Sequence, residues 1–382
     1  MLNYGKNKDE LIKNLKELIF KFGPNAKFIT SGSPLNQQLQ QSRGLNYLSQ
    51  SEIDLMKMIF CEAHILTFNL VKIDWVPEDA IPVNISENGL YVRYGNVELR
   101  VIENFFRNRD KSINSIANIL PNLNDKDFIF KKMNPDEYKW LSSQDFDFNL
   151  KALMTNAGFY FSENFEEAKN DLSYWAHKYL EGLKLGKLFL YPGAYPFFWN
   201  IWNFLENNNE QYVQYASFPD PQNFFKMLKG KKVLVVTPFK ELLDRMISES
   251  RLKNLYKNFI IDDIDFTFLQ SPMSIYPHRP DLSWSASYNN LLNSASDFFI
   301  NKNADIFLAS CGCYGIPLTT DIYKKFNCPS VYYGNWLNTL LGIKQACSIN
   351  FGNDGLINDQ LRLESDLGKY ENLNLIDGGR YI

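Results

Sequence analysis

Four short β-prone segments that alternate with helical patterns constrain the fold of this chain more than any other feature. They begin at Val233, Asp265, Ile306 and Ser330, and the stretches between them carry helical periodicity. Strands that are apolar along most of their length are buried on both faces, and in proteins they alternate with helices in parallel sheets. The region 230–345 therefore predicts a Rossmann-like α/β domain with helices on both faces of the sheet.

The preceding region extends this pattern. Residues 89–110 read as a strand, GLYVRYG, followed by a tight turn and a helix. A polar, loop-rich stretch is predicted over 110–150, then a helix over 164–184 and a short strand at Lys187–Tyr191. The aromatic stretch 195–218 favours core and helix, and stacking on a sugar ring is the alternative.

The N-terminal part carries a different pattern. Residues 9–22 predict an amphipathic helix, 31–50 a surface loop and 51–63 a second helix. We expect 1–80 to form a mainly helical extension of unknown role, and 81–382 to form the main domain. The first helix either packs on that domain or contacts a membrane surface through its lysine face.

Composition excludes several classes of protein. A hydrophobic content of 45% is ample for a packed core, and a net charge of −3 argues against nucleic acid as a partner. The sequence contains no apolar run of about 18 residues, the length that a membrane span needs. The odd number of cysteines, five, favours a reducing cytoplasm over a disulfide framework, and three histidines argue against a histidine-rich metal centre.

The segment Arg93–Glu98 lies where a strand ends and a helix begins, and parallel sheets bind ligands at the carboxyl ends of their strands. Arg93 could balance a diphosphate, and the helix N-terminus suits a phosphate. Asn96 and Glu98 could place two oxygens near Mg²⁺ or Mn²⁺. The alternative is that Asn96 caps the helix and Glu98 merely favours its first turn.

The segment 310–318, SCGCYGIPL, is a second glycine-containing connection between a strand and a helix. Gly312 and Gly315 permit a close approach of the backbone to a ligand, and tight internal packing is the alternative. Cys311 and Cys313 do not predict a thiolate metal site, because no second cysteine or histidine pair lies near them in the sequence.

Two further segments end strands or connect them. Gly334 permits a sharp turn, and Asn335 either caps the next helix or binds a hydroxyl. In the loop Tyr276–Asp281, His278 or Asp281 could serve as a general base for a sugar hydroxyl. An ordinary surface turn is the alternative.

In their order along the chain, these segments resemble the GT-D glycosyltransferases. The resemblance covers about three quarters of the chain and is carried by RYGNVE, residues 93–98; NAGF, 156–159; LKGKKVLVVTPF, 228–239; SCGCYGIPL, 310–318; YYGNWLNTLLGIK, 332–344; and the terminal GGRYI.

The resemblance implies a cytoplasmic enzyme, and the alternative is an enzyme bound peripherally to the inner face of the membrane. It would transfer a sugar from a nucleotide-sugar donor, usually a UDP-sugar, to a glycan acceptor, lipid-linked or not, in surface-polysaccharide or glycoprotein assembly. It implies a divalent cation, Mn²⁺ or Mg²⁺, held by Asn96 and Glu98. The residues that it assigns to substrate are Arg93, Tyr94, Gly95, Asn156, Gly312, Tyr314, Gly315, Gly334 and Asn335.

This chain departs from the family pattern at two positions. Asn96 stands where the family has a carboxylate, which weakens the expected metal affinity, and Asn335 stands where a second glycine is frequent. Two other functions therefore stay open. One is a non-catalytic protein that binds nucleotides or glycans, and the other is a transferase of another group, such as a phosphoryl or pyruvyl unit.

Overall fold

The computed structural model describes part of the chain: residues 81–85, 87–130, 146–189, 215–217, 220–344 and 356–365. These residues all belong to one compact unit. The predicted N-terminal extension, most of the aromatic stretch 195–218 and the terminal GGRYI lie outside them. The division of the chain at residue 80 stays a prediction.

Eight strands of the described residues form one sheet, and every neighbouring pair in it is parallel. They are β1 (Ile81–Pro82), β2 (Leu90–Arg93), β3 (Lys187–Phe189), β4 (Tyr215–Ser217), β5 (Lys232–Thr237), β6 (Asp265–Gln270), β7 (Ile306–Ala309) and β8 (Ser330–Tyr332). Their order across the sheet is β1-β4-β3-β2-β8-β7-β5-β6. A second small parallel sheet pairs β9 (Ile343–Lys344) with β10 (Leu363–Glu364).

The helices of the described residues connect these strands and cover the sheet. They are α1 (Asn96–Arg107), α2 (Arg109–Ile119), α3 (Lys126–Ile129), α4 (Phe146–Asn156), α5 (Phe165–Leu185), α6 (Pro221–Leu228), α7 (Lys240–Ser248), α8 (Trp284–Lys302), α9 (Gly315–Phe326) and α10 (Trp336–Leu340). Within the described residues, no helix combines the length and the apolar character needed to cross a membrane.

The expectation of a parallel α/β sheet is confirmed. Helices α6, α7 and α10 share one core with alternate strand residues such as Val233 and Val235. Helices α5, α8 and α9 pack on one another, and α9 also packs on β2, β7 and β8. The chain leaves β5 through α7 to the edge strand β6 and returns through α8 to β7, on the other side of β5. The switch point between β5 and β7 is where such sheets bind ligands.

The strands and helices predicted between residues 230 and 345 agree with the structure to within about two residues, except for one helix. The helix expected over 240–257 ends at Ser248, because Ser250 adopts a left-handed φ of 56°, and a separate helical turn follows at Leu252–Asn254.

The prediction of a loop-rich stretch over 110–150 was wrong for 110–130 and 146–150, because α2, α3 and the start of α4 lie there, and residues 131–145 lie outside the described residues. The buried side of α2 consists of Ser112, Ser115, Ile116 and Ile119. These positions have helical spacing, but two of the four are serine, so the hydrophobic periodicity that marks a helix is weak.

Helices α5 and α9 are in direct backbone-to-side-chain contact through a glycine. A Cβ atom at Gly182 would overlap the Cγ2 atom of Ile316 and lie 2.5 Å from the Oγ1 atom of Thr320. The absence of a side chain at this position therefore sets how closely the two helices approach.

We expect Gly182→Val to lower the free energy of unfolding by about 1–3 kcal/mol, because an added side chain in a filled interface forces the helices apart. Asn170→Val, at an exposed position of the same helix, is the matched control and should change it by no more than about 0.5 kcal/mol. Urea unfolding followed by circular dichroism measures both. Equal midpoints for Gly182→Val and the wild type would contradict the described packing.

Candidate functional site

The end of β2 and the end of β8 meet at the carboxyl edge of the sheet. The two strands pair in parallel, with Val92 opposite Tyr332, so Arg93 follows one residue and Gly334 two residues after that pair, at the same edge of the sheet. A Cβ atom at Gly334 would lie 2.5 Å from Nη1 of Arg93 and 3.3 Å from its Cδ. Gly334 also has a φ of +60°, which glycine adopts without strain. Both features make glycine necessary for the half-buried arginine to lie across this turn.

Glu98 lies in the first turn of α1, and its carboxylate folds back over Gly95, the residue that precedes the helix. The residue is 7% exposed. Burial raises the pKa of the Glu98 carboxyl above its ordinary value, while a hydrogen bond from its own backbone amide and the attraction of Arg93 act to lower it. The carboxylate thus occupies the positive end of α1, where the charge of Arg93 also attracts it.

Two buried tyrosines form hydrogen bonds with backbone groups at this edge of the sheet. The Tyr179 hydroxyl oxygen accepts a hydrogen bond of 3.1 Å from the backbone amide of Gly95, and the Tyr332 hydroxyl donates one of 3.1 Å to the carbonyl of Gly312. Burial raises the pKa of both phenols well above the ordinary range, and the charge of Glu98 adds to the shift. Sequence reasoning singled out the segment that begins at Tyr332 but gave neither tyrosine a role, because a tyrosine in a helix or a buried strand has no local signature.

At the two glycines of the 310–318 loop, other atoms of the protein fill the space that a side chain would take. Gly312 has a φ of +56°, and the carbonyl oxygen of Ala157 fills the place that a Cβ atom would take. The amide of Cys313 donates to that carbonyl over 2.8 Å. The ring of Tyr332 fills the corresponding place at Gly315. The close approaches expected of a ligand at these two glycines are therefore made by the chain.

Several other predicted site residues lie in the core or elsewhere on the edge. Tyr94 and Tyr314 are each 1% exposed, and Tyr314 stacks on Trp284 with ring centroids 5.1 Å apart. Asn156 ends α4, and its Oδ1 atom accepts a hydrogen bond of 3.0 Å from Thr155. These positions make Tyr94 and Tyr314 part of the packing that supports the site.

The β6–α8 loop carries the two predicted general bases. Asp281 accepts a hydrogen bond of 3.0 Å from Asn290, and the backbone amide of His278 donates to the carbonyl of Ile275 over 2.9 Å. Neither contact involves Arg93 or Glu98. The same loop is held to the segment that follows α4, because the Ser274 hydroxyl donates a hydrogen bond of 2.5 Å to the carbonyl of Gly158.

The capping roles considered for two asparagines are not seen. Gly95 occupies the N-cap of α1 and Asn96 is its first helical residue; the side chain of Asn96 lies outside the described atoms. Asn335 occupies the N-cap of α10, but its side chain makes no capping bond. It accepts a hydrogen bond from Asn338 instead.

The three cysteines within the described residues lie in the core. Cys311, Cys313 and Cys328 are buried, and burial raises the pKa of each thiol. The Sγ atom of Cys313 accepts a hydrogen bond of 3.1 Å from the indole of Trp284. In the part of the chain that is described, no three His, Cys, Asp or Glu side chains converge as ligands of one metal ion.

Comparison with known proteins adds no assignment, because no protein-family model, curated protein or solved structure matches this chain.

We expect Glu98→Gln to make the protein more stable at pH 8, with a melting temperature higher by roughly 2 °C in metal-free buffer. The pKa of Glu98 is raised mainly by burial, so folding favours the protonated carboxyl. Wild-type stability should therefore fall as the pH rises through the pKa of the folded state, and the amide variant should not show this loss.

The difference in melting temperature should shrink as the pH falls towards 4.5, the ordinary pKa of the group. Glu103→Gln, which replaces a carboxylate that is also 7% exposed on α1, is the matched comparison. Thermal unfolding between pH 4 and 8 measures both variants. A Glu98→Gln variant that is less stable than the wild type at pH 8 would show that the attraction to Arg93 outweighs burial.

Proposed function

We propose that this protein is a GT-D-like glycosyltransferase that takes a sugar from a nucleoside diphosphate sugar, most simply a UDP-sugar, and transfers it to a glycan acceptor. The observation that carries the proposal is that two charged side chains follow β2: Arg93 lies against Gly334, after the end of β8, and Glu98 lies over Gly95 within the electrostatic influence of Arg93. A guanidinium, a carboxylate and a helix N-terminus thus meet at the carboxyl edge of a parallel sheet.

The chemical task in such a reaction is to stabilise the nucleoside diphosphate as negative charge develops on it. Arg93 is suited to this, because a guanidinium binds phosphate oxygens in a fixed, forked geometry and remains charged at any physiological pH. Its position across a glycine turn restrains it before a ligand binds. Restrained charges of this kind stabilise a transition state without the cost of reorganising during the reaction.

A divalent cation fits this site only if the phosphate oxygens of a substrate supply part of its ligands. Mg²⁺ and Mn²⁺ are often held by one or two carboxylates together with the phosphate oxygens of a substrate, and Glu98 is the carboxylate that the described cluster offers. Glu98 would hold the ion with Asn96, and the ion would offset the charge of the diphosphate. The guanidinium beside Glu98 already supplies positive charge, so a weak requirement for the metal accords with this donor set.

The general base is proposed from the residues of the β6–α8 loop, and the acceptor and the location are proposed from the family resemblance. His278 or Asp281 would accept the proton of the acceptor hydroxyl, from a loop at the same edge of the sheet. The acceptor would be a growing polysaccharide or glycoprotein glycan, lipid-linked or free, and the reaction would take place in the cytoplasm or at its membrane surface.

The direct test is nucleotide binding and turnover by the full chain. UDP with Mn²⁺ should raise the melting temperature and give a calorimetric signal at millimolar concentration, since a ligand that binds the native state stabilises it. A panel of UDP-, GDP- and dTDP-sugars, followed by chromatography of the released nucleotide, then identifies the donor. If no nucleotide binds at millimolar concentration, the glycosyltransferase proposal fails.

We expect Arg93→Met to weaken UDP binding by about 10- to 100-fold, which corresponds to the loss of a charge-assisted hydrogen bond of about 1.5–3 kcal/mol. Arg245→Met is the matched control, because Arg245 is exposed on α7 and pairs with Glu249. Isothermal titration calorimetry measures both. Equal UDP affinity in Arg93→Met and wild type would remove Arg93 from the site.

Glu98→Gln should keep the fold and lose most of the transfer activity, while Glu103→Gln should keep that activity. Both variants remove one buried carboxylate from α1, so a difference between them assigns the effect to position 98. Donor turnover by the two purified proteins is the measurement. Equal turnover in all three proteins would contradict a role for Glu98.

A further inference from the structure

The strand β6 forms one edge of the eight-stranded sheet, and among the described strands it pairs only with β5. The carbonyl of Asp263 and the amides of Asp265 and Ser271 all form hydrogen bonds on the β5 side. In a parallel sheet the amide and the carbonyl of one residue point to the same side, and successive residues alternate between the two sides. The odd-numbered residues of β6 therefore face β5, and Phe266 and Phe268 face outwards.

The outward edge of β6 offers two complete pairs of backbone groups. Within the described part of the chain, the amides and carbonyls of Phe266 and Phe268 make no hydrogen bond. Unpaired groups of this kind are a template for another strand, and proteins commonly block them with charged residues or proline. Here such residues stand at the two ends, as Asp265 and Pro272, and residues 266–269 are uncharged. The middle of the edge is therefore open to strand pairing.

A second copy of β6 satisfies this edge when it runs antiparallel and the twofold axis passes at Thr267. Phe266 then lies opposite Phe268 of the second copy, and each of the two such pairs exchanges two backbone hydrogen bonds. All four groups of each strand are used in this way. Asp265 lies opposite Leu269 of the second copy, so no like charges face each other. The edge is thus complementary to itself in this register.

The side chains favour the same register. The rings of Phe266 and Phe268 stack with centroids 5.8 Å apart, on the face of β6 that packs against the core shared with α7. Pairing across the axis extends this row from two rings to four, and cross-strand aromatic pairs stabilise antiparallel strands. Thr267 and Leu269 lie on the opposite face and are partly exposed, so a second copy can pack against them.

We propose that this protein forms a twofold dimer in which the β6 strands of two copies pair antiparallel and join the two eight-stranded sheets into one. The carboxyl end of one β6 then lies beside the amino end of the other. The two candidate sites consequently lie at opposite edges of the joined sheet, and neither site needs a residue from the other copy. The dimer is therefore independent of the proposed function.

The oligomeric state of the full-length protein tests this surface. Sedimentation equilibrium up to about 100 μM covers the weak dimers expected of small interfaces, and we expect a monomer–dimer equilibrium. Thr267→Lys should raise the dissociation constant of the dimer at least about tenfold, because it places two like charges directly opposite each other on an edge strand. Asn170→Lys adds the same charge at an exposed position of α5 and should leave the dissociation constant unchanged.

Cysteine cross-linking tests the register. Thr267→Cys places its two copies at a non-hydrogen-bonded pair, with Cα atoms about 4.5 Å apart, which is within the range of a disulfide. Leu269→Cys lies on the same face and is also partly exposed, but its two copies are about 14 Å apart. With a mild oxidant to accept the thiol hydrogens, Thr267→Cys should form a covalent dimer on a non-reducing gel. Leu269→Cys and the wild type should not.

The proposal is overturned if the wild type is monomeric throughout this concentration range, or if Thr267→Lys dimerises as tightly as Asn170→Lys. It is also overturned if Thr267→Cys cross-links no more than Leu269→Cys, since the dimer would then use another surface or register. Circular dichroism shows whether Thr267→Lys folds. If it does not, the comparison of the two cysteine variants decides.

Discussion

The parallel pairing of β2 with β8 is the interaction on which the candidate site depends. The two strands are more than 230 positions apart in the chain, and their register places Arg93 directly beside the turn at Gly334. A shift of the register by one residue would turn the alternating side chains of β2 to the other face of the sheet. The register is fixed because Leu90, Tyr91 and Val92 are buried, so a shifted strand would find no matching core.

Glycines near the ends of these strands leave space for the side chains of the candidate site. At Gly95, Gly315 and Gly334, the space of a missing side chain is filled by a functional or supporting one: Glu98, Tyr332 and Arg93 respectively. Each glycine therefore acts by admitting another side chain of the protein, and a ligand would then meet that side chain. This differs from the expectation that the glycines themselves admit a ligand, which the sequence alone could not distinguish.

The sequence predicted the half of the sheet that follows residue 230 well. There β5, β7 and β8 are buried apolar runs, and helices with ordinary periodicity separate them. It also placed Arg93 and Glu98 at a junction of strand and helix. It could not predict the contacts of Tyr179 and Tyr332, since these depend on neighbours that are distant in the sequence. For example, Tyr179 lies 84 positions from its partner Gly95. The helices α2 and α4 were missed because serines on the packed face of α2 and an asparagine on that of α4 obscure the pattern.

Glu98 differs from other buried polar residues at this edge of the sheet in what it does for folding, and this difference bears on function. Asn338, Thr237 and Ser310 hydrogen-bond to one another, so their burial is compatible with a purely structural role. Burial of the Glu98 carboxylate acts against its charge, and the attraction of Arg93 is a smaller effect than that burial. An amide of the same shape would avoid that cost. A charged group whose burial works against the folded state, next to a restrained guanidinium at the ligand-binding edge of a parallel sheet, is explained more readily by chemistry than by stability.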